Sequence, residues 1–425
     1  MKVLRMIMIA ALLTGLFVQC QKEMEDDLPD GDLKKASWLS GTYTVTVENV
    51  AVDYPFFEAG VVRIPDGESS AGPAFPGHAF SFSFHAGPNH KLSFASMYGL
   101  SNDGFYAPAE GGISLYDSGA PVTGDITSEL HLWDAGTQVN QMPGPDNPHS
   151  GADENGVVRK MSDVGDGYDY GSVATNLMAN LSYEGNSMFR LTIQVLEGST
   201  TAISPIAWVV HTDGKTPIFK EGVADEGKGL EPLAEMGNAD PLGHYLAWNS
   251  GYVSPVAPVL WVLHEKKDKP IFTENTPDYG DGLETLAETG NPEPLFNSLT
   301  AGGYAAGFQA MRTDGSSGPL FPGQKYMFSI EGHVGQSLSL ASMLGASNDI
   351  FFSTGDEGLK LDNGVAEKDL THYVKLYDAG TEVNEYPGTQ TSADVVEDGK
   401  VMLLDDGFSY PDVDQLIRVT IQKNE

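Results

Sequence analysis

The chain has 425 residues, with 59 Asp and Glu against 24 Lys and Arg, a formal charge of −35 and a pI near 4.4. Binding to phosphate backbones needs clustered Lys and Arg, so this balance excludes nucleic acid and anionic bilayers as primary partners and suits divalent cations and neutral or cationic ligands. With 40% apolar residues the length allows roughly two to four domains with cores of their own, and 49 Gly with 25 Pro favour many short strands over long helices.

Residues 1–19 read as an export signal: Lys2 and Arg5 precede an apolar run from Met6 to Val18 that is too short for a permanent membrane helix. The single cysteine, Cys20, excludes an intrachain disulfide and a thiolate metal site. Its place just after the apolar run resembles a bacterial lipoprotein signal, in which the cysteine becomes the new N-terminus and takes a lipid. Gln19 and Phe17 depart from that pattern, and ordinary secretion is the alternative. Residues 20–40 hold the cysteine and a polar tether with Glu23, Glu25, Asp26 and Asp27 near its start. The tether resembles the acidic stretch of surface-exposed lipoproteins, so the expected location is outside the cell, anchored through Cys20 to the outer membrane.

Beyond the tether the chain repeats itself. Gly72–Gly77 (GPAFPG) returns as Gly318–Gly323 (GPLFPG), Leu92–Tyr106 returns as Leu338–Phe352, and Leu132–Gly144 (LWDAGTQVNQMPG) returns as Leu376–Gly388 (LYDAGTEVNEYPG). A shorter repeat carries Trp208–His211 through Gly229–Asn238 into Trp261–His264 through Gly282–Asn291. Most segments alternate apolar and polar residues, as half-buried antiparallel strands do: Tyr43–Val50, Ala79–Ala86, Lys91–Met97, Met188–Leu196, Lys325–Gly332 and Leu416–Gln422. Short helices are expected where Leu230, Leu233 and Ala234, and their counterparts Leu283, Leu286 and Ala287, form apolar stripes. Asp281 with Glu284 predicts a capping box and Gly290 a stop, and the helices are expected to cover a sandwich end. The predicted architecture is all-β: two antiparallel sandwich domains, residues 41–197 and 198–425, with short capping helices.

The blocks SND-x-F-[YF], [WY]-DAGT-x-VN, FPG and GLExLAE together resemble the spondin N-terminal domain family. The resemblance spans about Thr42 to Gln422 in two copies. It departs in the first copy, which lacks GLExLAE before its FPG, whereas two such blocks precede the second FPG. It implies C2-like sandwiches in exported or lipid-anchored proteins.

An oxygen-bearing set recurs in both copies: Asn102, Asp103, Asp134 and Gln138, then Asn348, Asp349, Asp378 and Glu382. Hard cations such as Ca²⁺ take six to eight oxygens, while Asp residues in tight turns also serve as caps for backbone amides. Both readings are open from the residues. The family resemblance implies calcium, held by Asp349, Asp378 and Glu382 in the second copy and by Asp103 and Asp134 in the first, where Gln138 replaces the third acid. That replacement predicts a weaker first site.

Other constellations point to structure. His211 and His264 each end an apolar run and read as strand-end histidines, and Asp163, Asp166 and Asp169 in DVGDGYDYG lack the EF-hand alternation and read as a solvated turn. The expected function is non-enzymatic binding or adhesion to an extracellular protein or glycan, supported by calcium. The alternative is an accessory polysaccharide-capture or glycan-hydrolysing lipoprotein.

Overall fold

The computed structural model describes residues 40–390 and 395–424; the expected signal, Cys20 and the tether through Leu39 lie outside the described residues. The fold is all-β, with antiparallel sheets and a few short helices. Strand β1 is Ser40–Asn49. It is followed by β2 (Glu58–Val62), β3 (Ala79–His85), β4 (His90–Met97), β5 (Gly104–Pro108), β6 (Leu130–Asp134), β7 (Leu177–Gly185), β8 (Met188–Val195) and β9 (Ile206–Thr212). Helices α1 (Leu230–Met236) and α2 (Asp240–Trp248) come next. The remainder comprises β10 (Val259–His264), α3 (Leu283–Thr289), α4 (Glu293–Ala301), β11 (Ala305–Gln309), β12 (Lys325–His333), β13 (Ser337–Met343), β14 (Ile350–Ser353), β15 (Lys375–Asp378) and β16 (Ile417–Lys423).

These elements build two units of the same design. In the first, a small sheet β3–β8–β7 faces a larger sheet β6–β5–β4–β9–β2; in the second, β12–β1–β16 faces β15–β14–β13–β10–β11. Phe80, Phe82 and Phe84 of β3 point inward at every second residue and meet Phe94, Tyr106 and Trp208 of the larger sheet. The larger sheet is buried on both faces. Its outer face, through Ala95, Phe105, Trp133 and Val209, receives Leu230, Leu233 and Ala234 of α1 and Leu242 and Leu246 of α2. That second cover is why β5 and β9 read as continuous apolar runs rather than alternating ones. The helices therefore cover a sheet face, not the sandwich end expected from sequence, because their three-residue stripes match a flat apolar surface.

The expected capping box at Asp281 does not form. The N-cap is Gly282 at φ 108°, paralleled by Gly229 at φ 105°, and a Cβ on either would lie within 2.5 Å of the next helix's backbone. Close approach of two helices, rather than amide capping, sets this position. Gly290 does end α3 in the left-handed conformation, at φ 69°.

The domain division at 197/198 does not match the sheets. β1, expected in the first copy, lies between β12 and β16 of the second unit, with Tyr43 opposite Ile330 on one side and Lys423 on the other. Conversely β9 and the first GLExLAE helix, expected in the second copy, belong to the first unit, where β9 pairs with β4 and β2. Each unit thus owns one WVxH strand and one GLExLAE helix, and the first is as complete as the second. It is permuted: β7 and β8, joined by a hairpin, occupy the places that β16 and β1, the described chain ends, occupy in the second unit. The whole first unit is inserted between β1 and β10 of the second. The entering and leaving segments run side by side, the Phe56 amide donating to Asn249 O at 3.1 Å and the Gly251 amide to Phe56 O at 3.1 Å.

Candidate metal centre

The Asp-Ala-Gly-Thr turns sit where the outer strands of each larger sheet end. In the first unit Asp134 closes β6 opposite Gly104, the residue that opens β5, so Asp103 and Asp134 arrive at neighbouring strand ends. Gly136, at φ 68°, lets the chain reverse there, and a Cβ at that position would meet the backbone of Val157 at 2.6 Å. The reversal aims successive amides at Asp103: its Oδ2 accepts the Thr137 amide (2.8 Å), the Thr137 hydroxyl (3.2 Å) and the Gln138 amide (3.0 Å). Asp134 Oδ1 accepts the Gly136 amide at 2.8 Å, and its Oδ2 accepts Asn140 Nδ2.

The second unit repeats this atom for atom. Asp349 Oδ2 accepts the Thr381 amide (2.8 Å), the Thr381 hydroxyl (3.2 Å) and the Glu382 amide (3.0 Å). Asp378 Oδ1 accepts the Gly380 amide and Oδ2 accepts Asn384 Nδ2, both at 2.6 Å. The backbone-capping reading of these aspartates is thus realised for two of the four carboxylate oxygens in each unit, and a third is taken by the asparagine side chain.

The remaining oxygen is left over in both. Asp103 Oδ1 and Asp349 Oδ1 are buried without a hydrogen-bond partner, and so are Asn140 Oδ1 and Asn384 Oδ1. A buried carboxylate oxygen without a donor costs free energy, so such atoms are rare in native structures. Burial, then the neighbouring Asp134, pushes Asp103 up to about 6; burial, then Asp349, does the same to Asp378. Burial also raises Asp134 and Asp349. The paired carboxylates resist ionising together, which is the electrostatic situation a divalent cation relieves.

The site differs from expectation in its membership. Among the described residues no group of three or more His, Cys, Asp or Glu side chains is placed to hold a metal ion. The set Asp349, Asp378 and Glu382 is therefore not assembled as a carboxylate triad, although Glu382 is buried near by in sequence and its amide caps Asp349. Gln138 is committed elsewhere, its Oε1 accepting the Gly151 amide at 2.6 Å. Asn102 and Asn348 hold the following loop, accepting the Gln141 amide at 2.9 Å and the Glu385 amide at 3.2 Å. The residues that do join the aspartates are Asn140 and Asn384. Their signal was present in the sequence, because the Asn of DAGT-x-VN recurs with the turn. A cation here would draw on the Asp pair and this amide oxygen, an all-oxygen donor set that suits a hard, oxygen-seeking ion.

No family model matches the chain, and no curated protein matches it. The likeness to spondin N-terminal domains thus rests on the duplicated motifs.

The two sites are not equal. Arg159 reaches Asp134 Oδ1 at 3.5 Å and pairs with Glu154 at 2.6 Å, placing a fixed positive charge beside the first turn. The residue facing Asp378 in the corresponding ladder position is Met402. His211 and His264 are core groups: each shares a hydrogen bond with a buried serine, Ser93 at 2.9 Å and Ser339 at 2.8 Å. Asp166 is bonded within its own turn to the Tyr170 hydroxyl at 2.6 Å.

Proposed function

We propose that the chain is an exported, non-enzymatic binding protein, lipid-anchored through Cys20, whose two spondin-like units present a surface to an extracellular ligand with the help of Ca²⁺ at the DAGT turns. The observation that carries the reading is the pair of unpartnered buried oxygens, Asp103 Oδ1 with Asn140 Oδ1 and Asp349 Oδ1 with Asn384 Oδ1, present at the same place in both units. When bound, the ion supplies positive charge that lets both carboxylates ionise and ties the loop after DAGT to the strand ends. The second site is the stronger of the two on this reading, because Arg159 already competes for Asp134 whereas Met402 stands at the corresponding position opposite Asp378.

An extracellular-type affinity of about 10⁻⁴–10⁻³ M stabilises by roughly 1–2 kcal/mol at millimolar Ca²⁺. Thermal melts of wild type and Asp378→Asn, each with Ca²⁺ and with EGTA, check this. Wild type should melt several degrees higher in Ca²⁺, with most of that gain lost in the variant. In EGTA the variant should equal or exceed wild type, since the substitution removes the charge that opposes Asp349. Equal midpoints in all four samples would defeat the calcium assignment.

A further inference from the structure

A second duplicated motif lies outside the DAGT turns: Asp166-Gly167-Tyr168-x-Tyr170 returns as Asp406-Gly407-Phe408-x-Tyr410. In both, one carboxylate oxygen accepts the amide two residues on, at 2.9 Å, and the other accepts the tyrosine hydroxyl four residues on, at 2.6 and 2.8 Å. These two hydrogen bonds staple the turn, which is followed at once by a four-residue helix, Val173–Asn176 or Val413–Leu416, that carries a capping box in each unit.

Each stapled turn forms one wall of a cleft, of about 500 Å³ in the first unit and 440 Å³ in the second. The linings correspond residue by residue. Leu132, Asp166, Gly167, Tyr168, Tyr170 and Val173 in one are Leu376, Asp406, Gly407, Phe408, Tyr410 and Val413 in the other. The same cleft is therefore kept in two units whose chains are threaded in different order, with an aromatic ring at the same point on its wall. Tyr168 is 41% exposed.

The charges select the ligand class. The second cleft is lined by Asp405, Asp406 and Asp412 and by no Lys, Arg or His, so an anion is repelled. The first holds Lys160 and His131 beside Asp166 and Asp169, which disfavours a polycation. One chemistry suits both: an uncharged molecule whose hydroxyls donate to carboxylates and whose apolar face lies on an aromatic ring. That is a saccharide.

We propose that the two clefts are equivalent binding sites for a neutral glycan, engaged together on one polymer. The assignment rests on the binding-protein reading above and gives it a ligand class. Where one polymer spans both clefts, the second binding event becomes intramolecular, and affinity rises by about 10²–10⁴ over a single site.

Affinity electrophoresis of the full chain in gels cast with α-mannan, β-glucan or xyloglucan, with alginate as the anionic control, tests the assignment. At least one neutral polymer should retard the chain and alginate should not. Tyr168→Ala or Phe408→Ala alone should weaken the apparent affinity about 100-fold by ending bivalency, and the double variant should run as in a blank gel. Phe408→Leu serves in place of Phe408→Ala if the latter fails to fold. The calcium-dependent rise in midpoint should be unchanged in Tyr168→Ala, whereas the Phe408 variants, whose ring meets Tyr386 edge-on at 5.7 Å in the wild type, should lower the midpoint itself while keeping a rise with Ca²⁺. The proposal is overturned if no neutral polymer retards the chain, or if the double variant is retarded like wild type. In either case an intact calcium shift leaves the binding-protein reading standing. New reducing ends in the neutral polymer, by contrast, would sink the non-enzymatic reading while a loss of retardation in the variants kept the clefts.

Discussion

Single side chains in this protein divide their atoms between fold and site. Asp103 uses Oδ2 to hold two amides and a hydroxyl of the DAGT turn, and leaves Oδ1 buried without a hydrogen-bond partner. Capping and metal binding, alternatives at the level of sequence, are compatible once the two oxygens are distinguished. His90 shows a purely structural counterpart. It is 9% exposed, lies 4.5 Å from the Phe57 ring between centroids, and accepts the Gly87 amide at 3.1 Å. Burial, then the neighbouring His211, lowers its pKa from 6.5 to about 4. The unfolded chain therefore takes up this proton first, so the contribution is intact above pH 6.5 and is lost as pH falls toward 4. The size is on the order of 2–3 kcal/mol. Denaturant melts of wild type and His90→Asn at pH 7 and 4.5 should show the stability gap between the two pH values narrowing by about that amount in the variant. The raised carboxylates Asp103 and Asp378 pull the other way, which is why the comparison is between pH slopes and not single midpoints.

At the scale of elements, β1 shows how far local pattern reaches. Its alternation is plain, and Tyr43, Val45 and Val47 are buried as the period of two demands. Which sheet it enters is settled by partners far along the chain: Ser40–Glu48 pairs with β12 and Tyr43–Asn49 with β16. Losing an internal strand opens two ladders and removes three buried apolar side chains, each contributing about 1.5–3 kcal/mol, against a net stability of about 5–15 kcal/mol for a domain. A chain beginning at residue 51 should lose the cooperative transition of the second unit and keep that of the first. Calorimetry combined with limited proteolysis checks this: peptides should be released from beyond residue 259 while β2–β9 stays resistant. Resistance of both halves would mean that β1 is dispensable, contrary to its central place.

Across the whole molecule, insertion ties the units by two chain segments instead of one, and the loop after the second DAGT turn adds a third tie. Tyr386 lies flat on His85 of the first unit, with ring centroids 3.5 Å apart and planes 2° off parallel, and meets Phe57 edge-on at 6.3 Å. Gly388 allows Phe57 in, since a Cβ there would lie 2.6 Å from the ring, and Gly87 likewise abuts the backbone of Thr389. The corresponding loop of the first unit is free of this contact, and its Met142 is 72% exposed. Tyr386→Ala should cost about 2 kcal/mol at the junction. Calorimetry should then show two separated transitions where wild type shows a more concerted one, with each unit's own fold intact by circular dichroism. Unchanged transitions would place the coupling in the paired linkers alone.

The sequence by itself determined the all-β class, the duplication, the strand faces and the residues of both aspartate turns, because period-two alternation and repeated turn motifs are local properties. It also contained the asparagine of DAGT-x-VN and the second DG-aromatic-x-Tyr repeat, Asp406–Tyr410, which is legible once the two copies are aligned. Tertiary structure alone decided that one unit is permuted and inserted into the other, since a strand's two neighbours depend on pairings hundreds of residues apart that leave no mark on the strand's own pattern. It also decided which carboxylate oxygens are spent on amides and which are left over, because that depends on the direction in which each turn aims its N–H groups.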